Sequence, residues 1–173
     1  MSEIPEFRFC LAEGAPEKFL PTQGEPVATG YDVLAFLPGG PIQMRPSQIC
    51  MIPLGIKVFC PEGWWLELRP RSSSFAKKHL SALYGVIDES YEGNLMFACQ
   101  YSPDIGGVPG FGLMTAWDQT RRTVGHEEPL GQLVPVKRQQ MRVSSVSKEQ
   151  FEVLCKERGG KRGAGGFGST SGG

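Results

Sequence analysis

The sequence predicts an all-β domain of short strands. Of its 173 residues, 23 are glycine and 14 are proline, and both types are spread along the whole chain. Because these residues favour turns, they leave room only for short strands between them. Apolar and polar residues alternate in 55–59, as they do in a strand with one buried face. The chain is long enough for one domain with a full hydrophobic core.

Apolar or alternating segments bounded by turn residues predict the individual strands. They lie near residues 7–10, 33–37, 49–52, 56–59, 64–68, 86–87, 95–99, 130–136 and 141–143. Two short helices are predicted as well. One begins in the serine run 72–74, because serine favours a helix N-cap. The other begins at Ser147, where Gln150 completes a capping box, and runs to about Lys156. Its apolar face would be formed by Phe151, Leu154 and Cys155.

The composition excludes several classes of protein. The 18 basic and 18 acidic residues balance, whereas a general nucleic-acid binder is usually basic. No apolar run approaches the roughly 20 residues that span a membrane, and the first residues lack the features of a signal peptide. Five scattered cysteines and two histidines do not form a zinc-site pattern. An odd cysteine count without a secretory signal predicts a reducing compartment, cytoplasmic or nuclear, and a viral origin also fits.

Composition also predicts how the chain is organised. Residues 1–157 are expected to form the β-domain and residues 158–173 a flexible C-terminal arm, since seven of the last 14 residues are glycine. The segment 101–128 is rich in glycine and proline and has no clean period, so it is interpreted as a long inserted loop. Loops of this length are often functional. Binding of a protein partner through this loop is one hypothesis.

Residues 85–93 carry the strongest candidate for catalysis. Val86 and Ile87 favour a strand, and Asp88 follows where that strand should enter a tight turn. Tyr91, three residues later, can face the same space. A carboxylate and an aromatic ring there suit a general base and a stacking surface. The commoner interpretation of such an aspartate is a turn residue that caps backbone groups.

Two further segments offer groups that would bind an anion. Arg71 and the serines after it stand at a predicted helix start, where free N–H groups attract negative charge. The glycine-rich arm brings a cation, hydroxyls and an aromatic ring close together, and glycines let a backbone approach phosphate oxygens. An ordinary capped helix with a solvated arginine, and a plain flexible linker, are the simpler alternatives.

Taken together, these segments resemble the trimeric dUTP pyrophosphatase (dUTPase) family through five motifs in order. The motifs correspond to residues 28–32, 70–73, 85–93, 130–133 and 162–170. The third is a very close match and the fifth is nearly complete. The sequence departs from the family at 127–132, which keeps little of the fourth motif beyond Gln132 and an acidic residue. Ser73 stands where glycine is common, and the residues at 81–84, in the region of the uracil loop, are unusual.

The resemblance implies a jelly-roll-like β-barrel that assembles as a homotrimer. Three active sites would lie between subunits, with the C-terminal arm closing over one of them. The implied reaction is hydrolysis of dUTP to dUMP and pyrophosphate, with Mg²⁺ held by the triphosphate rather than by direct protein ligands. This reaction would remove dUTP and supply a precursor of dTTP.

The matched positions also imply roles for individual residues. Asp88 would activate the water that attacks the α-phosphorus, and Asp32 would support the site by hydrogen bonding. Tyr91 would lie under the deoxyribose, where a ribose 2′-hydroxyl would clash. The uracil loop comprises Ala82, Leu83, Tyr84 and Gly85. In the β-domain, the residues that would hold the phosphates are Arg71, Ser72, Ser73 and Gln132. The residues of the arm that would bind the nucleotide, with Phe167 stacked on uracil, are Arg162, Phe167, Gly168, Ser169 and Thr170.

Two other functions stay open. A dCTP deaminase shares the fold but needs different pocket chemistry, and the intact Asp88-x-x-Tyr91 pattern with the fifth motif favours the dUTPase. A nucleotide-gated regulatory protein acting through residues 101–128 would instead bind nucleotide with little turnover.

Overall fold

The computed structural model describes residues 4–103 and 121–159. In these ranges the chain forms eleven strands and two α-helices, so the predicted all-β class is confirmed. The strands are β1 (Arg8–Leu11), β2 (Tyr31–Leu34), β3 (Ile42–Met44), β4 (Ile49–Pro53), β5 (Ile56–Phe59), β6 (Trp64–Pro70), β7 (Leu80–Ala82), β8 (Gly85–Ile87), β9 (Met96–Tyr101), β10 (Arg122–Val124) and β11 (Pro129–Lys137). The helices are α1 (Ser72–Ala76) and α2 (Lys148–Arg158), and a 3-10 helix lies at Glu17–Phe19.

The strands pair antiparallel in small sheets, as in a jelly roll. β2, β11, β6 and β8 lie side by side in a four-stranded sheet, and β4, β9 and β7 form a three-stranded sheet. β1 pairs with β5, and β10 pairs with β3. The sequence does not single out β3, β7 and β10, since each has only three residues and little alternation to be recognised. β10 lies inside the segment interpreted as a loop, of which residues 104–120 fall outside the described ranges.

Alternation along the strands builds one hydrophobic core. In β5 and β9 every second side chain is buried, as the two-residue period of a strand requires. The side chains of Ile52, Leu66, Phe97 and Leu133, from four different strands, are all at most 2% exposed. Each buried side chain of this size contributes about 1.5–3 kcal/mol to folding. The core therefore gives the sheets a rigid frame on which polar residues at the strand ends can be held.

The chain divides into two compact units, Met1–Arg138 and Gln139–Gly173. The first unit contains all eleven strands, and α2 belongs to the second. The predicted boundary between a domain 1–157 and an arm 158–173 remains a prediction, since 160–173 lie outside the described ranges. Neither of the α-helices in the part of the chain that the structure describes is long and apolar enough to cross a membrane.

Helix α2 begins where the sequence predicts. The Ser147 hydroxyl accepts a hydrogen bond from the Gln150 backbone N–H at 3.2 Å, and the Gln150 side-chain oxygen accepts one from the Ser147 N–H at 2.9 Å. This capping box is a local signal and is confirmed. Of the predicted apolar face, Phe151 is 61% exposed, and no residue of α2 is buried.

The predicted strand at residues 141–143 is wrong. No strand follows Lys137 in the described residues, and Met141 and Val143 are more than four-fifths exposed. Their alternation with Arg142 resembles a strand pattern, but a strand also needs a neighbour for its backbone N–H and C=O groups.

Candidate active site

One cluster of polar side chains joins three regions that are far apart in sequence. Asp32 on β2 accepts a hydrogen bond from the Arg71 guanidinium through Oδ2 at 2.5 Å and another from the Gln132 amide through Oδ1 at 2.8 Å. Gln132 lies on β11, directly opposite Asp32, and Arg71 follows the end of β6 on the other side of β11. The carboxylate therefore fixes the positions of an arginine and an amide side by side.

Two glycines allow this close arrangement around Gln132. A side chain at Gly30 would lie 3.0 Å from the Gln132 Cβ, and one at Gly131 would lie 2.8 Å from the Arg69 carbonyl oxygen. Each strand thus approaches its neighbour where a Cβ atom would prevent it. Since a guanidinium has five N–H donors, the contact with Asp32 leaves Arg71 able to bind an anion as well.

The serines of the second motif begin α1, as predicted, but the N-cap residue is Arg71 rather than a serine. Ser72 is exposed and Ser73 half-buried, so both hydroxyls lie near the surface beside Arg71. Ser74 is fully buried, and its hydroxyl donates a hydrogen bond to the Leu130 carbonyl oxygen at 2.6 Å. The Arg71 backbone N–H donates to the same carbonyl at 3.2 Å. These two bonds hold the start of α1 against β11.

Asp88 stands where the sequence predicts, directly after β8 and exposed. The Tyr91 backbone N–H donates a hydrogen bond to the Asp88 carbonyl oxygen at 3.0 Å, which closes the predicted tight turn. The Tyr91 hydroxyl donates to the Asn94 carbonyl oxygen at 3.0 Å. A side chain at Gly93 would lie 2.4 Å from the Tyr91 hydroxyl oxygen, so glycine there leaves room for the ring.

The predicted uracil loop is an exposed connection between β7 and β8. Ala82 ends β7 and Gly85 begins β8, while the side chains of Leu83 and Tyr84 between them are more than three-fifths exposed. The Leu83 N–H is bonded to the Ala98 carbonyl oxygen on β9 at 2.9 Å, which fixes the backbone at this point. Base recognition by this loop remains a prediction.

Strand register separates Asp88 from the Asp32 cluster within one chain. Ile87 on β8 lies opposite Leu66 on β6, so Asp88 is level with Trp65. Arg71 is six residues further along the chain than Trp65. At about 3.3 Å per residue of extended chain, this corresponds to roughly 20 Å. A single chain therefore does not bring Asp88 to Arg71.

An open pocket of about 700 Å³ flanks Asp88. Its lining is aromatic and charged, from Phe59, Cys60, Glu62, Trp64, Trp65, Val86, Asp88, Glu89, Ser90 and Arg138. Sequence reasoning missed Glu89 and Arg138. The only local signal for Glu89 is its position next to Asp88, and Arg138 reaches the pocket through the pairing of β11 with β6.

The remaining predicted residues of the arm, Arg162, Phe167, Gly168, Ser169 and Thr170, lie outside the described residues. Within 4–103 and 121–159, no group of three or more His, Cys, Asp or Glu side chains is arranged to hold a metal ion. Mg²⁺ prefers phosphate oxygens and water to protein cages.

Known proteins resemble this chain in sequence and in fold. No protein-family model matches it. It is 29% identical to the deoxyuridine 5′-triphosphate nucleotidohydrolase of Roseobacter denitrificans over 165 residues, 93% of both chains. A Staphylococcus bacteriophage 80alpha dUTPase with dUPNHPP has a TM-score of 0.70, 22% identity, and coverage of 96% of this chain and 98% of that one. The dUTPase from phage phi11 of S. aureus has a TM-score of 0.63 and 21% identity, over 83% of this chain and 97% of that one.

The sequence identity is higher with another bacterial protein than with the Roseobacter denitrificans protein. The deoxyuridine 5′-triphosphate nucleotidohydrolase of Bdellovibrio bacteriovorus is 32% identical over 145 residues, which cover 83% of this chain and 81% of that protein. The structural neighbours establish the jelly-roll-like fold, and this relative extends the likeness over most of both sequences. The chain therefore belongs to the deoxyuridine 5′-triphosphate nucleotidohydrolase (dUTPase) family.

Proposed function

We propose that this chain hydrolyses dUTP to dUMP and pyrophosphate. The observation that carries the proposal is the cluster in which Asp32 holds Arg71 and Gln132 side by side. A guanidinium binds phosphate oxygens through paired hydrogen bonds, and an amide beside it adds a further donor. Membership of the dUTPase family supports dUTP as the source of those phosphates.

The proposed chemical step uses Asp88 as the general base. Its carboxylate takes a proton from a water molecule as the water oxygen forms a bond to the α-phosphorus. The bond from that phosphorus to the bridging oxygen breaks, and pyrophosphate leaves. The position of Asp88, exposed at the end of a strand in the rigid β-domain, suits this role because a general base acts through accurate placement.

Other residues would bind rather than react. Arg71, Ser72 and Ser73 would contact the phosphate chain, and Gln132 would contact the α-phosphate. Tyr91, fixed by its hydroxyl, would lie under the deoxyribose and exclude a 2′-hydroxyl. Mg²⁺ would arrive on the triphosphate and offset its negative charge.

A homotrimer would complete the site. The roughly 20 Å between Asp88 and Arg71 along one chain is too far for both to contact one α-phosphate group. A second copy could supply Asp88 to the Asp32 cluster of the first, because cyclic assembly repeats the same contact around a ring. The arm of a further copy would then cover the nucleotide.

Removal of the arm tests the last part of this proposal. Deleting 160–173 is expected to lower kcat/KM for dUTP by about 10²-fold, because the arm would complete the phosphate contacts and exclude water. The melting temperature should change little, since half of the deleted residues are glycine and add no side chain to a core. Equal losses of activity and stability would make the arm a structural element.

A nucleotide panel tests the function itself. Pyrophosphate release from dUTP, UTP, dCTP and dTTP is measured with Mg²⁺, and ammonia is followed in parallel. Release from dUTP alone is the expected result. Ammonia from dCTP would favour a deaminase. Tight binding of dUTP without release from any nucleotide would favour a regulatory protein, and trimming of 101–128 would then be the next test.

In the cell, the proposed reaction would keep dUTP low and supply dUMP for dTTP synthesis. A reducing compartment is proposed as the setting, cytoplasmic or nuclear. Its support is that all five cysteines, Cys10, Cys50, Cys60, Cys99 and Cys155, are free thiols.

A further inference from the structure

We propose that Glu89 is a positioning residue that holds Asp88 in place through a contact with the β5–β6 turn. The proposal rests on the proposed function, in which Asp88 is the base. Asp88 is exposed, and no described residue contacts its side chain by a hydrogen bond or an ion pair. Its orientation therefore depends on the backbone that carries it, and the next residue along that backbone is anchored.

Glu89, Gly63 and Arg138 are joined to one another by three contacts, two of which involve the Glu89 side chain. Oε2 of Glu89 accepts a hydrogen bond from the Gly63 backbone N–H at 3.0 Å. The same oxygen lies 3.0 Å from Nη1 of Arg138. The Arg138 backbone N–H donates to the Gly63 carbonyl oxygen at 2.8 Å, so both backbone groups of Gly63 are engaged. The end of β8 is thereby tied to the β5–β6 turn and to the end of β11.

The turn that receives Glu89 has a defined shape. Gly63 has a φ of +76°, a left-handed conformation that glycine adopts without strain, and this conformation helps define the turn whose N–H meets the carboxylate. Glu89 lines the same pocket as the buried Cys60, and burial and the Glu89 charge both raise the pKa of that thiol. Glu89 is half-buried, while its neighbour Asp88 is exposed.

The two contacts of Glu89 differ in strength. The side chains of Arg138 and Glu89 are 52% and 29% exposed, so water and salt screen their ion pair. The hydrogen bond from Gly63 is part-buried and joins a charged acceptor to a fixed backbone donor, which is the stronger kind of contact. The hydrogen bond, rather than the ion pair, should hold the end of β8.

The difference in strength between the hydrogen bond and the ion pair determines which variants test the proposal. Glu89→Gln keeps a side-chain oxygen for the Gly63 N–H and removes the ion pair, whereas Glu89→Ala removes both. We expect Glu89→Ala to lower kcat for dUTP about tenfold or more, because small displacements of a reacting group are costly. KM should stay within about twofold of wild type, since the groups proposed to hold the phosphates, Arg71 and Gln132, lie elsewhere. Glu89→Gln should keep most of kcat.

Two controls accompany these variants. Arg138→Ala removes the screened ion pair alone, and its kcat should resemble that of Glu89→Gln. Glu6→Ala removes another glutamate that pairs with an arginine, at 2.9 Å from Arg8, outside the lining of the pocket beside Asp88. Its kcat should equal that of wild type. Melting temperatures are measured for all four variants.

The outcomes separate the role of Glu89 from the proposed function. An active wild type with an equally active Glu89→Ala would overturn the positioning role alone. So would a Glu89→Gln variant as impaired as Glu89→Ala, or a loss of kcat matched by an equal rise in KM. A wild-type protein that releases no pyrophosphate from dUTP would overturn both proposals, since Asp88 would then have no reaction to perform.

Discussion

Replacing Asp88 with asparagine is expected to lower kcat for dUTP by about 10²- to 10⁴-fold, the usual contribution of a general base. The amide has nearly the same shape as the carboxylate but does not accept the proton from water. The dissociation constant for dUTP should change little, because the proposed phosphate contacts come from Arg71 and Gln132. Turnover is measured by pyrophosphate release and binding by calorimetry.

Stability should be unaffected in the same variant. Among residues 4–103 and 121–159, no side-chain hydrogen bond or ion pair to Asp88 is present, so the substitution breaks none there. Glu62→Gln is a suitable control, since it neutralises a nearby carboxylate to which we assign no role and should retain wild-type turnover. Turnover close to normal in Asp88→Asn would remove Asp88 as the base and return attention to the common interpretation of a turn residue.

Local features of the site could be predicted from the sequence. The strand before Asp88 and the turn after it depend on a few adjacent residues, namely a β-branched pair followed by polar turn formers. The capping box of α2 is local for the same reason. The hydrogen bond between Asp32 and Gln132 joins residues 100 positions apart, and only the resemblance to a family suggested that Asp32 supports the site.

Features that depend on strand order could not be predicted. Alternation of apolar and polar residues identifies β6, β8 and β11 as strands but does not say which of them are neighbours. The distance from Asp88 to Arg71 therefore cannot be predicted from the sequence. The contact between Glu89 and Gly63 has the same origin, because it links two turns that meet only when β8 lies beside β6. The incorrect prediction of a strand at 141–143 has a related cause, because a suitable sequence pattern does not form a strand without a neighbouring strand to pair with.

Mixing two inactive variants should restore activity if the site lies between copies of the chain. Arg71→Ala removes the proposed phosphate arginine, and Asp88→Asn removes the proposed base, so each pure protein should be nearly inactive. In a mixed trimer, one site combines the Arg71 of an Asp88→Asn chain with the Asp88 of an Arg71→Ala chain. Cyclic geometry gives about one such intact site in three.

The experiment uses two affinity tags. The variants are denatured together, refolded, and passed over both affinity columns, so that only mixed assemblies remain. Their kcat per trimer should approach about one-third of the wild-type value, measured by pyrophosphate release with the mass checked by light scattering. As a control, Asp88→Asn is mixed in the same way with the double variant that carries both substitutions. No site then has an intact base, and no activity should return.

The result depends on the register of one sheet. If β8 placed Asp88 near Arg71 in the same chain, each mixed trimer would contain only sites with one defect, and activity would stay at the level of the pure variants. Restoration therefore requires that the roughly 20 Å along β6 separates the two groups and that a second copy bridges it. Mixed trimers without activity would place the base elsewhere or the whole site within one chain, and a monomer in light scattering would exclude the shared site directly.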